Sequence, residues 1–164
     1  GSTLFYSNYT YGAGTWYAAS PTEINGHDFI DCYCSYDGTY QLYVGTSFIP
    51  YGGRYVISQN GASSFTANVI GSGSMQACCV SDTGQYMIMG NDQGQIFIST
   101  NYGSSFTLAY TVPSGPQPVY SVSVNPNGTL WLAGSSNGLN YCQNPDGTTG
   151  WGNYLGSAIY AVAN

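Results

Sequence analysis

Charge is what this 164-residue chain has least of. It has no lysine, Arg54 is its one strongly basic residue, His27 its one histidine, and charged residues make up 5% of the whole. Phosphate binding needs clustered Lys and Arg, so nucleic acid is not an expected partner. An anionic membrane surface is disfavoured for the same reason, and without a run of 18 apolar residues no membrane insertion is expected. Helical patterning is missing too. The one helical hint is Ser20-Pro21-Thr22-Glu23, where a serine cap, a proline at the first position and a glutamate completing a capping box predict a single turn. Gly1-Ser2-Thr3 carries no Met, basic region or apolar stretch of a signal peptide, which predicts a processed or trimmed chain.

The scarcity of ionisable groups narrows the chemistry. The formal charge of −6 rests on Glu23, Asp28, Asp31, Asp37, Asp82, Asp92 and Asp146. Asp37, Asp82, Asp92 and Asp146 fall at turn positions, where Asp is common for local reasons. Glu23, His27, Asp28 and Asp31 form the remaining ionisable cluster and read as solvated surface. No catalytic residue, cofactor or metal is expected. Cys32-x-Cys34 and Cys78-Cys79 lack both the two-residue gap and the nearby His of a zinc site.

What the chain does have is repetition. Gly84, Gly90, Gly94 and Gly103 recur as Gly128, Gly134, Gly138 and Gly147, each 44 residues further on. Ser35-Tyr-Asp-Gly38 aligns with Ser81-Asp-Thr-Gly84, and Gly53-Arg-Tyr-Val-Ile-Ser58 with Gly94-Gln-Ile-Phe-Ile-Ser99, once residues 47–51 are looped out. Each unit reads as three antiparallel strands: Asp28–Ser35, Ser74–Ser81 and Val119–Asn125; Thr39–Gly45, Gln85–Gly90 and Thr129–Gly134; Tyr55–Ser58, Ile96–Ser99 and Asn140–Gln143. Alternation and β-branched or aromatic enrichment mark the strands, and Asp-Gly, Asn-Gly, Gln-Gly and Thr-Gly pairs mark the turns. A repeat of about 44 residues built this way predicts an all-β chain forming one small β-propeller of antiparallel sheets over residues 1–164. Its units are roughly 28–65, 74–106 and 119–151, with part-units at 1–16 and 158–164. Leu4-Phe-Tyr-Ser7 with Gly12 to Trp16 reads as a third strand and its turn, and Ile159-Tyr-Ala-Val162 matches Val119-Tyr-Ser-Val122. Paired with each other, these part-units would close the ring at about four blades. The alternatives are a fragment of a longer propeller and a blade completed by another copy.

After each third strand comes a short polar box: Ser58-Gln-Asn60-Gly-Ala-Ser-Ser-Phe65, Ser99-Thr-Asn101-Tyr-Gly103-Ser-Ser-Phe106, and a looser Gln143-Asn-Pro-Asp146-Gly147-Thr-Thr-Gly-Trp151. These segments resemble the Asp-box, or bacterial neuraminidase repeat, of sialidase-like β-propellers, whose pattern is Ser/Thr-x-Asp-x-Gly-x-x-Trp/Phe. Asn60 and Asn101 stand where that pattern has Asp, and Ala62 stands for a Gly. The resemblance implies a turn between the third and fourth strands of a blade. It does not carry the activity over: sialidases of this fold use three arginines, a tyrosine with a glutamate, and an aspartic acid, whereas this chain has one arginine and one glutamate.

Five cysteines leave two readings open. Either small thiols fill a narrow centre, or a disulfide forms among Cys32, Cys34, Cys78 and Cys79. Asn8-Tyr-Thr10 and Asn127-Gly-Thr129 are N-glycosylation sequons for a chain on a secretory route. Seventeen tyrosines among Ser, Asn, Gly and Thr suit stacking and packing surfaces. Tyr9, Tyr11, Trp16 and Tyr17, with Tyr51 and Tyr55 flanking Arg54, are the candidate ligand-binding set; Tyr86, Tyr120 and Tyr160 are expected to pack between blades. The expected function is a non-catalytic structural or assembly module of an extracellular or virion-surface protein, packing against copies of itself or other structural proteins. A lectin-like carbohydrate-binding module is the alternative, and a glycoside hydrolase fragment ranks third because its carboxylate pair is hard to find.

Overall fold

The computed structural model describes residues 4–7, 16–19, 27–48 and 51–163, and among them every regular element is a β-strand. Leu4–Ser7 (β1) and Trp16–Ala19 (β2) form an antiparallel hairpin. Three four-stranded antiparallel sheets follow. The first holds His27–Cys34 (β3), Gln41–Phe48 (β4), Tyr51–Ser58 (β5) and Thr66–Val69 (β6). Next come Met75–Val80 (β7), Met87–Asn91 (β8), Gln95–Ser99 (β9) and Thr107–Thr111 (β10). The third sheet holds Val119–Val124 (β11), Trp131–Ser135 (β12), Gly138–Cys142 (β13) and Gly152–Leu155 (β14). Each is a four-stranded meander joined by tight turns.

Several expectations need correcting. The units have four strands, not three: β6, β10 and β14 are half-exposed edge strands with little apolar alternation for a sequence reading to find. Residues 47, 48 and 51 are not looped out but extend the β4–β5 hairpin, with Ser47 opposite Gly52 and Phe48 opposite Tyr51. The described residues give three such sheets, not closed into a ring, and the two-stranded β1–β2 hairpin, so a fourth full blade is not among them. Ile159–Val162 lies outside regular strand structure and no sheet pairs it with the β1–β2 hairpin. The single helical turn expected at residues 20–23 falls outside the described residues.

The sheets are held together face to face. Between the first and second lies a buried cluster that includes Leu42, Val44, Cys78, Val80, Met87 and Met89. Between the second and third lies another, with Ile88, Ile96 and Ile98 against Val122, Val124 and Trp131. Burying each such aliphatic side chain is worth about 1.5–3 kcal/mol. The first strand of every sheet has a register shift at the same place, around Ile30, Gln76 and Tyr120. A bulge there increases local twist and re-aims the neighbouring side chains.

Glycines sit where the sheets approach most closely. A Cβ on Gly90 would collide with Val119 of the next sheet, and one on Gly103 would collide with Ile57 of the previous sheet. Much of the glycine lattice thus marks sheet-to-sheet contact as well as turns.

Candidate functional site: the polar turns and the exposed ends of the arc

The turn after β9 is cross-braced by two side chains. Ser99 Oγ accepts from Gly103 N at 2.9 Å and donates to Asn101 Oδ1 at 2.9 Å; Asn101 Oδ1 accepts from Ser105 N at 3.1 Å, and its Nδ2 donates to Ser105 Oγ at 2.9 Å. The turn after β5 repeats this nearly atom for atom, with Ala62 N on Ser58 Oγ at 2.9 Å, Ser64 N on Asn60 Oδ1 at 3.0 Å and Asn60 Nδ2 on Ser64 Oγ at 2.8 Å. An amide does here what a carboxylate would do for the backbone N–H, and it also donates. Phe65 and Phe106 are half-buried behind these turns, Phe106 at 4.8 Å between ring centroids from Tyr55.

The turn after β13 is built differently. Cys142 replaces the serine, its sulfur 3.4 Å from Asn144 N, and Asn144 Nδ2 donates to Thr149 Oγ1 at 2.7 Å. Asn144, not singled out by the sequence, therefore takes the place of Asn60 and Asn101. An extra residue, Pro145, hides the correspondence. Asp146 accepts from Thr148 N at 2.8 Å and Thr149 N at 3.3 Å, which holds its carboxyl below the ordinary range. Trp151 closes the turn with Nε1 on Gly147 O at 2.7 Å and stacks on Tyr110 at 5.3 Å.

Between the second and third turns runs a small groove of about 60 Å³ lined by Ser99, Thr100, Asn101, Ser105, Asp146 and Thr148, among others. Its walls offer hydroxyls, an amide and a carboxylate. A ligand pocket commonly holds about 300–1,000 Å³, so this groove suits ordered water or the end of a polar side chain.

Three further carboxylates are held by hydrogen bonds. Asp37 accepts from Ser35 Oγ at 2.7 Å, Thr39 N at 3.0 Å and Thr39 Oγ1 at 2.7 Å, and these bonds, the Ser35 hydroxyl foremost, hold its pKa at about 2. Asp31 accepts from Cys32 N through one oxygen and from Cys78 N through the other, both at 2.9 Å, tying the first sheet to the second. Asp92 Oδ1 accepts from Ser74 N at 3.0 Å.

The aromatic candidates scatter. Tyr55 is core, buried in the cluster between the first two sheets, and so is withdrawn from a ligand surface. Arg54 is half-buried on β5 beside Gly45 and Val69. Trp16 and Tyr17 lie on β2 and Tyr51 on β5, while Tyr9, Tyr11 and Asn8 fall outside the described residues. Tyr86 packs between sheets as expected, edge-on to Trp131 and against Gly128, but Tyr160 is 69% exposed over Tyr120. Asn127 is exposed on the turn after β11 and accepts from its own sequon's Thr129 Oγ1 at 2.9 Å.

The five cysteines are free thiols, Cys32 and Cys34 exposed and Cys78, Cys79 and Cys142 buried. The disulfide among Cys32, Cys34, Cys78 and Cys79 is not formed, for a reason visible in the register. Cys32 lies opposite Tyr43 and shares its sheet face, whereas Cys78 packs with Leu42 and Val44 on the other face. Burial raises the pKa of Cys78, Cys79 and Cys142, Cys78 most, and partial loss of solvation with the nearby Asp31 and Asp37 raises those of Cys32 and Cys34.

What sequence reasoning did not find is the exposed apolar surface at the end of the third sheet. Tyr154 and Leu155 on β14 are 66% and 70% exposed, while Tyr160, 69% exposed, lies over Tyr120 of β11, the opposite edge strand. Tyr141 and Tyr154 stack at 5.3 Å and 17°. Isolated residues in an edge strand give no sequence signal for this.

No family model and no curated protein matches the chain. Solved structures do: 251 chains match, so the fold is common and by itself says little about activity. One of them, from "Crystal structure of Nidogen/Laminin Complex", has a TM-score of 0.66 at 8% identity, over 92% of this chain and 57% of that one. The chain thus spans a little over half the length of that protein, and the likeness is to an all-β, propeller-like fold.

Proposed function

We propose that this chain is a non-catalytic structural module that packs against copies of itself or other structural proteins, in an extracellular or virion-surface setting, with Asp-box-like turns as fold devices. The carrying observation is the exposure of Tyr154 and Leu155 on β14, the edge strand of the third sheet, in a chain with 5% charged residues. Such apolar surface favours a partner over open water. The carboxylates support the same reading, since Asp31, Asp37, Asp92 and Asp146 are engaged in turn and inter-sheet bonds. The solved neighbour comes from a nidogen/laminin complex, which accords with a packing role.

A lectin-like reading draws on one specific feature, the exposed Tyr141–Tyr154 stack, a flat ring surface of the kind sugars lie on. Sedimentation velocity and a glycan array separate the two. A concentration-dependent assembly with an empty array supports the structural module; a monomer whose tyrosine fluorescence responds to one glycan replaces it with the lectin.

A further inference from the structure

The first strands of the three sheets stand side by side, and equivalent positions meet at each junction between them. Where the first sheet meets the second, Asp31 Oδ2 accepts from Cys78 N. Where the second meets the third, Ala77 and Cys79 share a buried cluster with Val122 and Val124. Residues 159–163 continue the series although they form no regular strand. Ser121, in the place of Asp31, accepts from Val162 N through its Oγ at 3.1 Å. Ile159 lies over Gly134 just as Val119 lies over Gly90, and Tyr160 pairs with Tyr120 at the bulge. Ile159-Tyr-Ala-Val-Ala163 therefore occupies the place of a fourth first strand.

Each end of this series is half of a junction. Ala161 and Ala163 correspond to Ala77 and Cys79, which are buried against the next sheet, yet both alanines are exposed. At the other end Cys32 and Cys34 correspond to Cys78 and Val80, and to Val122 and Val124; those four are buried against the preceding sheet, whereas Cys32 and Cys34 are exposed. Gly38 tells the same story: a Cβ on its counterparts Gly84 and Gly128 would meet Tyr40 and Tyr86 of the preceding sheet, while nothing lies within 4 Å of one on Gly38. Both half-junctions are exposed, and among the described residues nothing joins them.

We propose that they meet between copies: the Ala161/Ala163 face of one chain packs on the Cys32/Cys34 face of a second, repeating the junction already made twice within each chain. This rests on the assembly reading above and specifies its surface. A head-to-tail contact of this kind extends the arc until it closes as a ring or grows as a filament. Small side chains on both sides suit the close spacing of the first strands.

An Ala161→Cys variant treated with oxidised glutathione tests the contact, since two apposed thiols form a disulfide and release two glutathione thiols. The expected result is interchain dimers and larger species without reductant, linked from position 161 to Cys32 or Cys34 by peptide mass, and lost when both are changed to Ser. In the wild type, maleimide labelling of Cys32 and Cys34 should slow as protein concentration rises. A 161-to-32 or 161-to-34 link within one chain overturns the proposal in favour of self-closure. Glutathione adducts alone, in a protein that still self-associates by sedimentation, overturn this surface and leave the assembly reading standing; a wild type monomeric at every concentration overturns both.

Discussion

At the scale of single residues, the chain uses polar side chains mainly to hold backbone. Asn101 makes bonds to Ser99, Ser105 N and Ser105 Oγ, so Asn101→Ala should lower stability by about 1–2 kcal/mol in urea unfolding, at about 1 kcal/mol per net hydrogen bond. Asn101→Asp keeps the acceptor and loses only the Nδ2 donor, so its loss should be the smaller of the two. Asp37 gives a pH prediction with a definite sign. Its folded pKa is depressed to about 2, below the ordinary value of about 3.9, so its contribution is present above the ordinary value and is lost as pH falls through the folded one. A carboxyl titration followed by NMR should place its midpoint near 2; a midpoint near 4 would remove the Ser35 and Thr39 bonds from the account. Most of this chemistry was legible in sequence for Ser58, Asn60, Ser99 and Asn101, because the spacing is regular. It was not legible for Asn144, where Pro145 breaks the register.

At the scale of elements, sheet contact decides which glycines matter. Gly103 and Ala62 occupy equivalent turn positions, both at positive φ (75° and 66°), so backbone conformation alone would treat them alike. Packing separates them. A methyl on Gly103 collides with Ile57, so Gly103→Ala should cost about 1–3 kcal/mol as an overpacked core site, visible as a lowered urea midpoint. Ala62 already carries its methyl, buried, so Ala62→Gly should change stability by less than about 1 kcal/mol. Equal effects at the two sites would contradict the packing account. The first three strands of each unit could be found in sequence because their alternating residues are buried on one or both faces. The fourth strands escaped because strands such as Thr66–Val69, exposed at both ends and half-buried between, leave no hydrophobic rhythm. Of the two cysteine readings, the disulfide fell at this scale as well: equivalent places in successive units aligned Cys32 with Cys78 but could not show that they face opposite sides of the first sheet.

At the scale of the whole molecule, repeated sheets explain both what the chain is and what it leaves uncovered. Sheet-to-sheet junctions bury Trp131, Leu42, Met87, Ile88 and Met89 completely, and the same geometry stops at the exposed Cys32 and Cys34 on one side and at Ala161 and Ala163 on the other. The repeat period was enough to foresee an all-β, propeller-like architecture, but not ring closure, because closure depends on the angle between sheets and no residue pattern encodes that angle locally. The ligand-binding set dispersed for a related reason: Tyr55 and Arg54 are neighbours in sequence, yet alternation along β5 sends adjacent side chains to opposite faces. With so few charges to keep copies apart, exposed apolar ends should drive association. Sedimentation velocity of the 164-residue chain across a hundredfold range of concentration tests this most directly: the account predicts a mass that climbs above 17.4 kDa, to a closed ring or a growing filament, and a single 17.4 kDa species throughout would contradict it.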